Sequence, residues 1–307
     1  MSKIQIKQSD FEPIRLEQFD AEKIVGKSTS YWKDAWRRFR KNKLAIISII
    51  FIALLAFMAV FGTVISGQNY FDNDLINANK PISGEHWFGT DNLGRDLFTR
   101  TWYGARISLF IGLMAAFIDL VVGVIWGSVS GYVGGKVDEY MMRIADILTS
   151  LPYLLVVILL LVIMPKSLWT IIFAMTITGW INMARIVRGQ VMQLKNEEYV
   201  LAAKSLGANS IRVMWKHLIP NTLGPILVTL TLTVPTAIFT EAFLSFLGLG
   251  VPQPKASWGT MTSDALDALR FYPYQLFFPA FFICITMLAF NIIGDGLRDA
   301  LDPKDRR

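Results

Sequence analysis

Long apolar stretches alternate with short polar ones along this chain of 307 residues. Six of the apolar stretches predict membrane-spanning helices, because roughly 20 apolar residues cross the ~30 Å hydrocarbon core of a bilayer. Only three residues separate the third stretch from the fourth, which predicts a tight hairpin. The pattern therefore predicts an all-α membrane protein whose six transmembrane helices cover residues 44–65, 107–129, 147–164, 168–183, 223–247 and 274–293.

Prolines and carboxylates interrupt several of these predicted spans. Pro152 lies in the third span, and Pro225 and Pro235 lie in the fifth. Because prolines are tolerated in membrane helices where neighbouring groups satisfy the freed carbonyls, we expect packed and partly broken helices. Asp119 lies near the middle of the second span and Glu241 near one end of the fifth. An intramembrane aspartate costs about 2.5–3.5 kcal/mol on insertion scales, so Asp119 is expected to face a wet path or to hydrogen-bond a neighbouring helix.

Composition and charge support a membrane protein and give it an orientation. Hydrophobic residues make up 53% of the chain and charged residues 18%, whereas about a quarter of the residues of a soluble domain are charged. If the N-terminus lies inside, the cytoplasmic segments hold 23 of the 30 lysines and arginines, which favours both termini in the cytoplasm. These segments are an N-terminal region 1–43, two loops 130–146 and 184–222 within the membrane domain 44–293, and a C-terminal tail 294–307.

The stretch YWKDAWRRFRKNK, residues 31–43, combines aromatic and basic residues just before the first span. On a helix, Trp32, Trp36 and Phe39 share one face, which is typical of an interfacial helix lying against anionic lipid headgroups. A simple positively charged anchor on the cytoplasmic side explains the same residues equally well.

Several kinds of chemistry find little support in the chain. Cys284, the single cysteine, lies in an apolar stretch, and His86 and His217 have no neighbours at the spacing of a metal site. The first 30 residues are polar, so we expect no cleavable signal peptide. Residues 21–28, AEKIVGKS, match a relaxed phosphate-binding loop but lack the surrounding α/β domain, so we expect no ATP site in this chain.

The polar segment 184–222 predicts two short helices joined at a glycine. Asn196 is a candidate N-cap for the first helix, and Gly207 suits the left-handed position that ends it. Asn209 or Ser210 is a candidate cap for the second helix, which is expected to end before Pro220.

The side chains of this segment allow two interpretations. Ala202 and Ala203 are small enough for close approach to a partner, and Leu201, Leu206 and Trp215 are large enough to fill a groove in it. An amphipathic hairpin resting on lipid headgroups is the alternative.

The segment resembles the EAA loop of ABC importer permeases, which reads Glu-Ala-Ala, three residues, Gly, nine residues and Ile-x-Leu-Pro. Ala202, Ala203, Gly207 and Pro220 match that pattern, whereas Leu201 stands where the family often has Glu. Three further stretches resemble the C-type subunit of oligopeptide permeases, namely residues 86–100 (HWFGTDNLGRDLFTR), 241–261 and 295–303.

The resemblance implies a type I ABC importer permease that catalyses no covalent chemistry and contains no cofactor. The coupling loop, with Leu201 and Leu206 beside the matched residues, is expected to enter a groove of an ATPase subunit. The implied partners are a homologous second permease, two cytoplasmic ATPase subunits that hydrolyse ATP, an extracytoplasmic peptide-binding protein, the peptide and membrane lipid, with no nucleic acid. The implied location is the bacterial plasma membrane.

The two intramembrane carboxylates stay open between functional and structural roles. Asp119 either lies beside the peptide path, where it attracts a positive amino terminus, or bonds to a neighbouring helix or the partner permease. Glu241 either stabilises an external gate or a contact with the peptide-binding protein, or is a snorkelling carboxylate.

Other functions remain open at this stage. The same architecture also suits import of dipeptides, nickel or glutathione. A proton-driven secondary transporter that uses Asp119 and Glu241 as relays is a further hypothesis, although we find no internal repeat in the sequence. A structural membrane scaffold is the last alternative.

Overall fold

The computed structural model describes residues 31–301, and almost all of its regular structure is helical. The region 21–28 and the last residues of the tail lie outside the described residues. The eleven α-helices of residues 31–301 are α1 Tyr31–Phe39, α2 Lys43–Ser66, α3 Leu97–Val133, α4 Gly135–Ser150, α5 Tyr153–Ile163, α6 Leu168–Leu194, α7 Glu198–Ser205, α8 Ser210–Val213, α9 Ile219–Phe246, α10 Trp258–Ala265 and α11 Tyr274–Leu301. A 3₁₀ turn at Leu75–Asn77 and a π-helical turn at Met214–Leu218 complete them.

Five continuous helices in the described chain are long and apolar enough to cross a membrane, and a bent pair makes a possible sixth. The five are α2, α3, α6, α11 and the run Ser210–Phe246, and the bent pair is α4 with α5. The fold is thus the predicted all-α membrane architecture.

The third predicted span, 147–164, is broken at Pro152, in keeping with the partly broken helices expected from its proline. The chain bends by 80° between α4 and α5, at Leu151 and Pro152. The cause is local, since a residue before proline is pushed out of the α region, and Leu151 has the extended angles φ −76° and ψ 136°.

Other helices extend beyond the apolar stretches that predicted them. α3 begins at Leu97 rather than at residue 107, α6 runs to Leu194 rather than to 183, and α11 continues to Leu301. In the extensions of α3 and α6, arginines bond to other helices: Arg106 donates to the carbonyl oxygens of Ala59 and Val60 of α2, and Arg185 donates to Asp146 of α4. The predicted loop 184–222 therefore begins with three further turns of α6.

The central packing is that of α3 against α6, with glycines of α3 at the contact. A Cβ at Gly123 would lie 2.6 Å from the Cβ of Met183, and one at Gly131 would lie 2.8 Å from the carbonyl oxygen of Arg188. Small residues at four-residue spacing allow membrane helices to approach closely. α9 packs on α3 and also contacts α6 and α11, and α2 lies at the edge with most of its apolar side chains exposed.

The first helix does not present the uniform aromatic face that the sequence predicts. Trp32 and Trp36 are about half exposed, but Phe39 is only 3% exposed because it packs against Ala45 and Ala300. α1 is thus attached to α2 and α11 through Phe39.

Candidate functional site

The segment between α6 and α9 forms two short helices joined by a glycine turn, as predicted. Gly207 has φ +86°, which an L side chain rarely adopts, and a Cβ there would meet no atom within 4 Å. The requirement for glycine is therefore conformational rather than steric. Asn209 caps α8 by accepting a bond of 2.8 Å from the backbone N–H of Arg212. The predicted cap Asn196 is wrong, because Glu197 occupies the N-cap of α7 and makes no side-chain capping bond.

We call residues 198–218 the α7–α8 element, and it has two unlike faces. One face is fixed to the membrane domain, since its buried residues join a core with α6. The buried residues of the element are Val200, Val213 and Leu218, and they cluster with Met183, Val187 and Val191. The other face is an apolar rim of exposed side chains, namely Leu201 (50%), Leu206 (88%), Ile211 (64%) and Trp215 (59%).

The small residues of the element lie beside this rim. Ala202 is exposed and Ala203 is half-buried, so the described chain does not fully cover either residue. A partner surface can therefore approach the backbone of α7 at these two positions.

The prediction that the second helix ends before Pro220 is wrong. The helical backbone continues from α8 through the π-helical turn Met214–Leu218 into α9, and Pro220 lies in the first turn of α9. Proline is tolerated in a first turn, and a π-helical turn relaxes the backbone ahead of it. The consequence is mechanical, because α8 and the span α9 form one continuous helical run, to which α7 is joined through the turn at Gly207.

Asp119 lies at a cavity of about 530 Å³ lined by α3, α4, α5, α6 and α9, which we call the Asp119 cavity. The side chain is 6% exposed, and its Oδ1 has no hydrogen-bond partner among residues 31–301. A Cβ at Gly179 of α6 would lie 2.5 Å from Oδ2, so the carboxylate occupies space that only a glycine leaves open. Within the described chain, Asp119 thus does not form the helix-to-helix hydrogen bond that was one of its two interpretations.

Glu241 is in the opposite situation. The interpretation as a snorkelling carboxylate is wrong, because the side chain is 1% exposed and is held by three serines. Its Oε1 accepts from Ser245 Oγ at 2.8 Å and Ser257 Oγ at 2.6 Å, and its Oε2 accepts from Ser108 Oγ at 3.3 Å. Ser257 also caps α10, so Glu241 joins α3, α9 and the start of α10.

Arg185 and Arg188 of α6 form ion pairs with α4. Arg188 donates twice to Asp138 of α4, at 2.5 Å to each carboxylate oxygen, and Ser130 donates to the same carboxylate. Arg185 donates to Asp146 at 2.9 Å. These pairs, which sequence reasoning missed, hold α4 against α6.

The segment before α3 contains a buried charge cluster that sequence reasoning also missed. Arg95 donates to Asp91 at 2.7 Å, and both Arg95 and Arg100 lie 3.8 Å from Asp264 of α10. Burial raises the pKa of the Asp264 carboxyl, and the two arginines act against that rise. The sequence signal for this cluster was the density of charged residues in TDNLGRDLFTR.

Two family models match the chain. Residues 121–307 match the binding-protein-dependent transport system inner membrane component, and residues 30–81 match the N-terminal TM domain of oligopeptide transport permease C.

Named relatives cover nearly all of the chain. It is 66% identical over 297 residues to the oligopeptide transport system permease protein OppC of Bacillus subtilis (strain 168), covering 97% of each protein. It is 58% identical over 289 residues to the dipeptide transport system permease protein DppC of the same organism, covering 94% of this chain and 90% of the relative. It is 44% identical over 293 residues to OppC of Escherichia coli (strain K12), covering 95% and 97%.

An inward-facing structure of the MetNI methionine ABC transporter has the same fold, with a TM-score of 0.54 and 19% identity over 67% of this chain and 96% of that one. The named relatives of this chain are transport permeases rather than enzymes, and its described helices make it a multi-pass membrane protein. The chain therefore belongs to the family of binding-protein-dependent transport system inner membrane components, as a C-type permease subunit of the oligopeptide and dipeptide branch with the type I ABC importer fold.

Proposed function

We propose that this chain forms half of the translocation path of an ATP-driven oligopeptide importer in the bacterial plasma membrane, with both termini in the cytoplasm. A homologous permease forms the other half, two ATPase subunits supply the energy, and an extracytoplasmic peptide-binding protein delivers the substrate. The names and high identity of the relatives support the oligopeptide class, and the charge distribution supports the orientation.

The observation that carries the proposal is the apolar rim of the α7–α8 element. Its exposed leucines, isoleucine and tryptophan surround two alanines, so the rim offers a close-fitting apolar contact to another protein. Fully burying an exposed leucine or isoleucine side chain contributes about 1.5–3 kcal/mol, so these side chains favour docking. The occupant is the groove of an ATPase subunit.

The buried face of the element explains how docking moves the spans. Val200, Val213 and Leu218 pack on α6, and the π-helical turn continues into α9. A displacement of the rim is therefore carried into α6 and α9 together. Both helices line the Asp119 cavity, so closure of the ATPase subunits changes the shape of the path.

The test is uptake of a labelled mixed oligopeptide pool in cells that lack this chain and carry plasmid-borne variants. Wild type is expected to restore uptake, and Gly207→Pro is expected to abolish it, because proline cannot adopt the φ of +86°. Gly189→Ala is the matched control, since its added Cβ meets no atom within 4 Å on an ordinary helical backbone. Each variant is checked for abundance in the membrane fraction.

Normal coupled uptake by Gly207→Pro at wild-type abundance would contradict the role of the element. Uptake that stops on collapse of the proton gradient but persists on ATP depletion would favour the secondary transporter instead. If the peptide pool is taken up equally with and without the chain, dipeptides, nickel and glutathione are the substrates to test.

A further inference from the structure

The wall that α9 presents to the Asp119 cavity is a stripe of four threonines. Thr229, Thr233, Thr236 and Thr240 follow one another at intervals of four, three and four residues, so they lie on one face of the helix. The stripe is about 16 Å long at 1.5 Å per residue, which matches roughly five residues of an extended peptide.

The hydroxyl hydrogens of this stripe are already used. Each of the four hydroxyls donates to the carbonyl oxygen four residues earlier, at distances of 2.8, 2.9, 2.9 and 2.9 Å. A threonine oxygen keeps two acceptor lone pairs when its hydrogen is engaged in this way. The stripe therefore offers acceptors, and not donors, to whatever fills the cavity.

Asp119 adds a negative charge to the same cavity. Its carboxylate is more than nine-tenths buried, one oxygen has no partner within the described chain, and the glycine at position 179 gives it room beside α6. The only cationic side chain lining the described cavity is Arg185, which is paired with Asp146. Buried polar groups are rarely left unpaired without a reason, and here the unpaired group is an anion beside a row of acceptors.

We propose that Asp119 and the threonine stripe bind a substrate ammonium group and the backbone N–H groups that follow it. The inference rests on the proposed function for the identity of the substrate, but the recognition chemistry stands on the cavity itself. Asp119 is the charge partner, and the threonine oxygens accept from the extended backbone. The ammonium group comes from a peptide amino terminus or from a lysine side chain.

The first test measures the preference of the cavity for cationic over anionic reagents, without any peptide. In a Cys284→Ser background, Thr236→Cys places a thiol in the cavity and Ile76→Cys places one on an exposed turn outside it (92% exposed). The purified transporter is labelled with methanethiosulfonate reagents bearing either an ethylammonium or an ethylsulfonate group. We expect the cationic-to-anionic rate ratio to be about tenfold higher at position 236 than at position 76.

Three further variants test whether the Asp119 carboxylate causes that preference. Asp119→Asn is expected to bring the ratio down to the value at position 76, and Asp119→Glu is expected to retain it. Gly179→Ala is expected to keep the ratio above the value at position 76, because the new methyl group moves the carboxylate but leaves it in the cavity. Equal ratios at positions 236 and 76, or a high ratio that Asp119→Asn leaves unchanged, would overturn the proposal.

The second test uses uptake and identifies the source of the ammonium group. At sub-saturating concentration, Asp119→Asn is expected to lower uptake of labelled tetra-alanine about tenfold, as expected for a lost hydrogen bond to a charged group. Uptake of N-acetylated tetra-alanine relative to wild type is expected to stay unchanged, and a loss for an N-acetylated peptide containing lysine would extend the site to lysine side chains. An equal loss for both tetra-alanine forms would overturn the proposal, whereas a wild type that imports no peptide would contradict the proposed function and leave the labelling result standing.

Discussion

Two carboxylates lie within spans predicted from the same apolar pattern, and the structure treats them in opposite ways. Glu241 is enclosed by Ser108, Ser245 and Ser257, which satisfy both of its oxygens. Asp119 is almost as deeply buried, yet its Oδ1 has no partner within residues 31–301. Burial alone therefore does not indicate the role of an intramembrane acid.

The glycines beside the two acids sharpen the contrast. Gly259 lies against Glu241 and also against the backbone of α9, since a Cβ there would be 2.6 Å from the Cα of Ala242. Gly179 lies against Asp119 alone, as the three nearest atoms to its added Cβ all belong to that carboxylate. The first acid is built into a closed junction, and the second borders open space.

The largest expected effect is that of Glu241→Ala on stability. The change leaves three buried serine hydroxyls without their acceptor and opens a cavity where α3, α9 and α10 meet. Hydrogen bonds to a charged group contribute about 1.5–3 kcal/mol each, so we expect a loss of at least ~3 kcal/mol. Thermal unfolding of the detergent-solubilised transporter measures it, with Glu241→Gln as the control that keeps the shape and part of the bonding. An unfolding temperature within error of wild type would mean that the junction does not stabilise the fold.

Sequence reasoning could not have separated the two acids, and the reason is distance along the chain. Ser108 and Ser257 are 133 and 16 residues away from Glu241, and no pattern of hydropathy connects them. The cavity beside Asp119 needs five helices in place before it exists. What the sequence does predict is local: the left-handed turn at Gly207, the cap at Asn209 and five of the spans.

Two prolines behave differently in the structure. Pro152 breaks its span, in keeping with the partly broken helices expected from the sequence, since it follows the end of α4 and the chain turns there by 80°. Pro220 was expected to end a helix, but a π-helical turn carries the backbone past it. The same residue type thus breaks one helix and not another, depending on whether the neighbouring turn can relax.

The next largest effect is expected at Gly259. An alanine there presses on the backbone of α9, which cannot move away, so Gly259→Ala should destabilise the transporter by about 1–3 kcal/mol. Gly179→Ala is the matched control, because its methyl group meets only a carboxylate that can swing into the cavity, and its cost should stay below ~1 kcal/mol. Unfolding temperatures of the two variants in the same background measure the difference. Equal losses would show that the Asp119 carboxylate is held as firmly as a backbone.

The smallest expected effect on stability is that of Asp119→Asn. The carboxylate loses no hydrogen bond within the described chain, and an amide is easier to bury than a charge, so we expect a change within about 1 kcal/mol of wild type and of either sign. The same variant is expected to remove the preference for cationic reagents. It should therefore change recognition strongly while changing the stability of the fold little. The unfolding temperature of the assembled transporter is the measurement, with Asp119→Leu as a second variant that removes both polar oxygens. A loss of several kcal/mol in both variants would mean that Asp119 has a bonding partner in the second permease, which is the structural interpretation of this residue, and the contrast with Glu241 would then disappear.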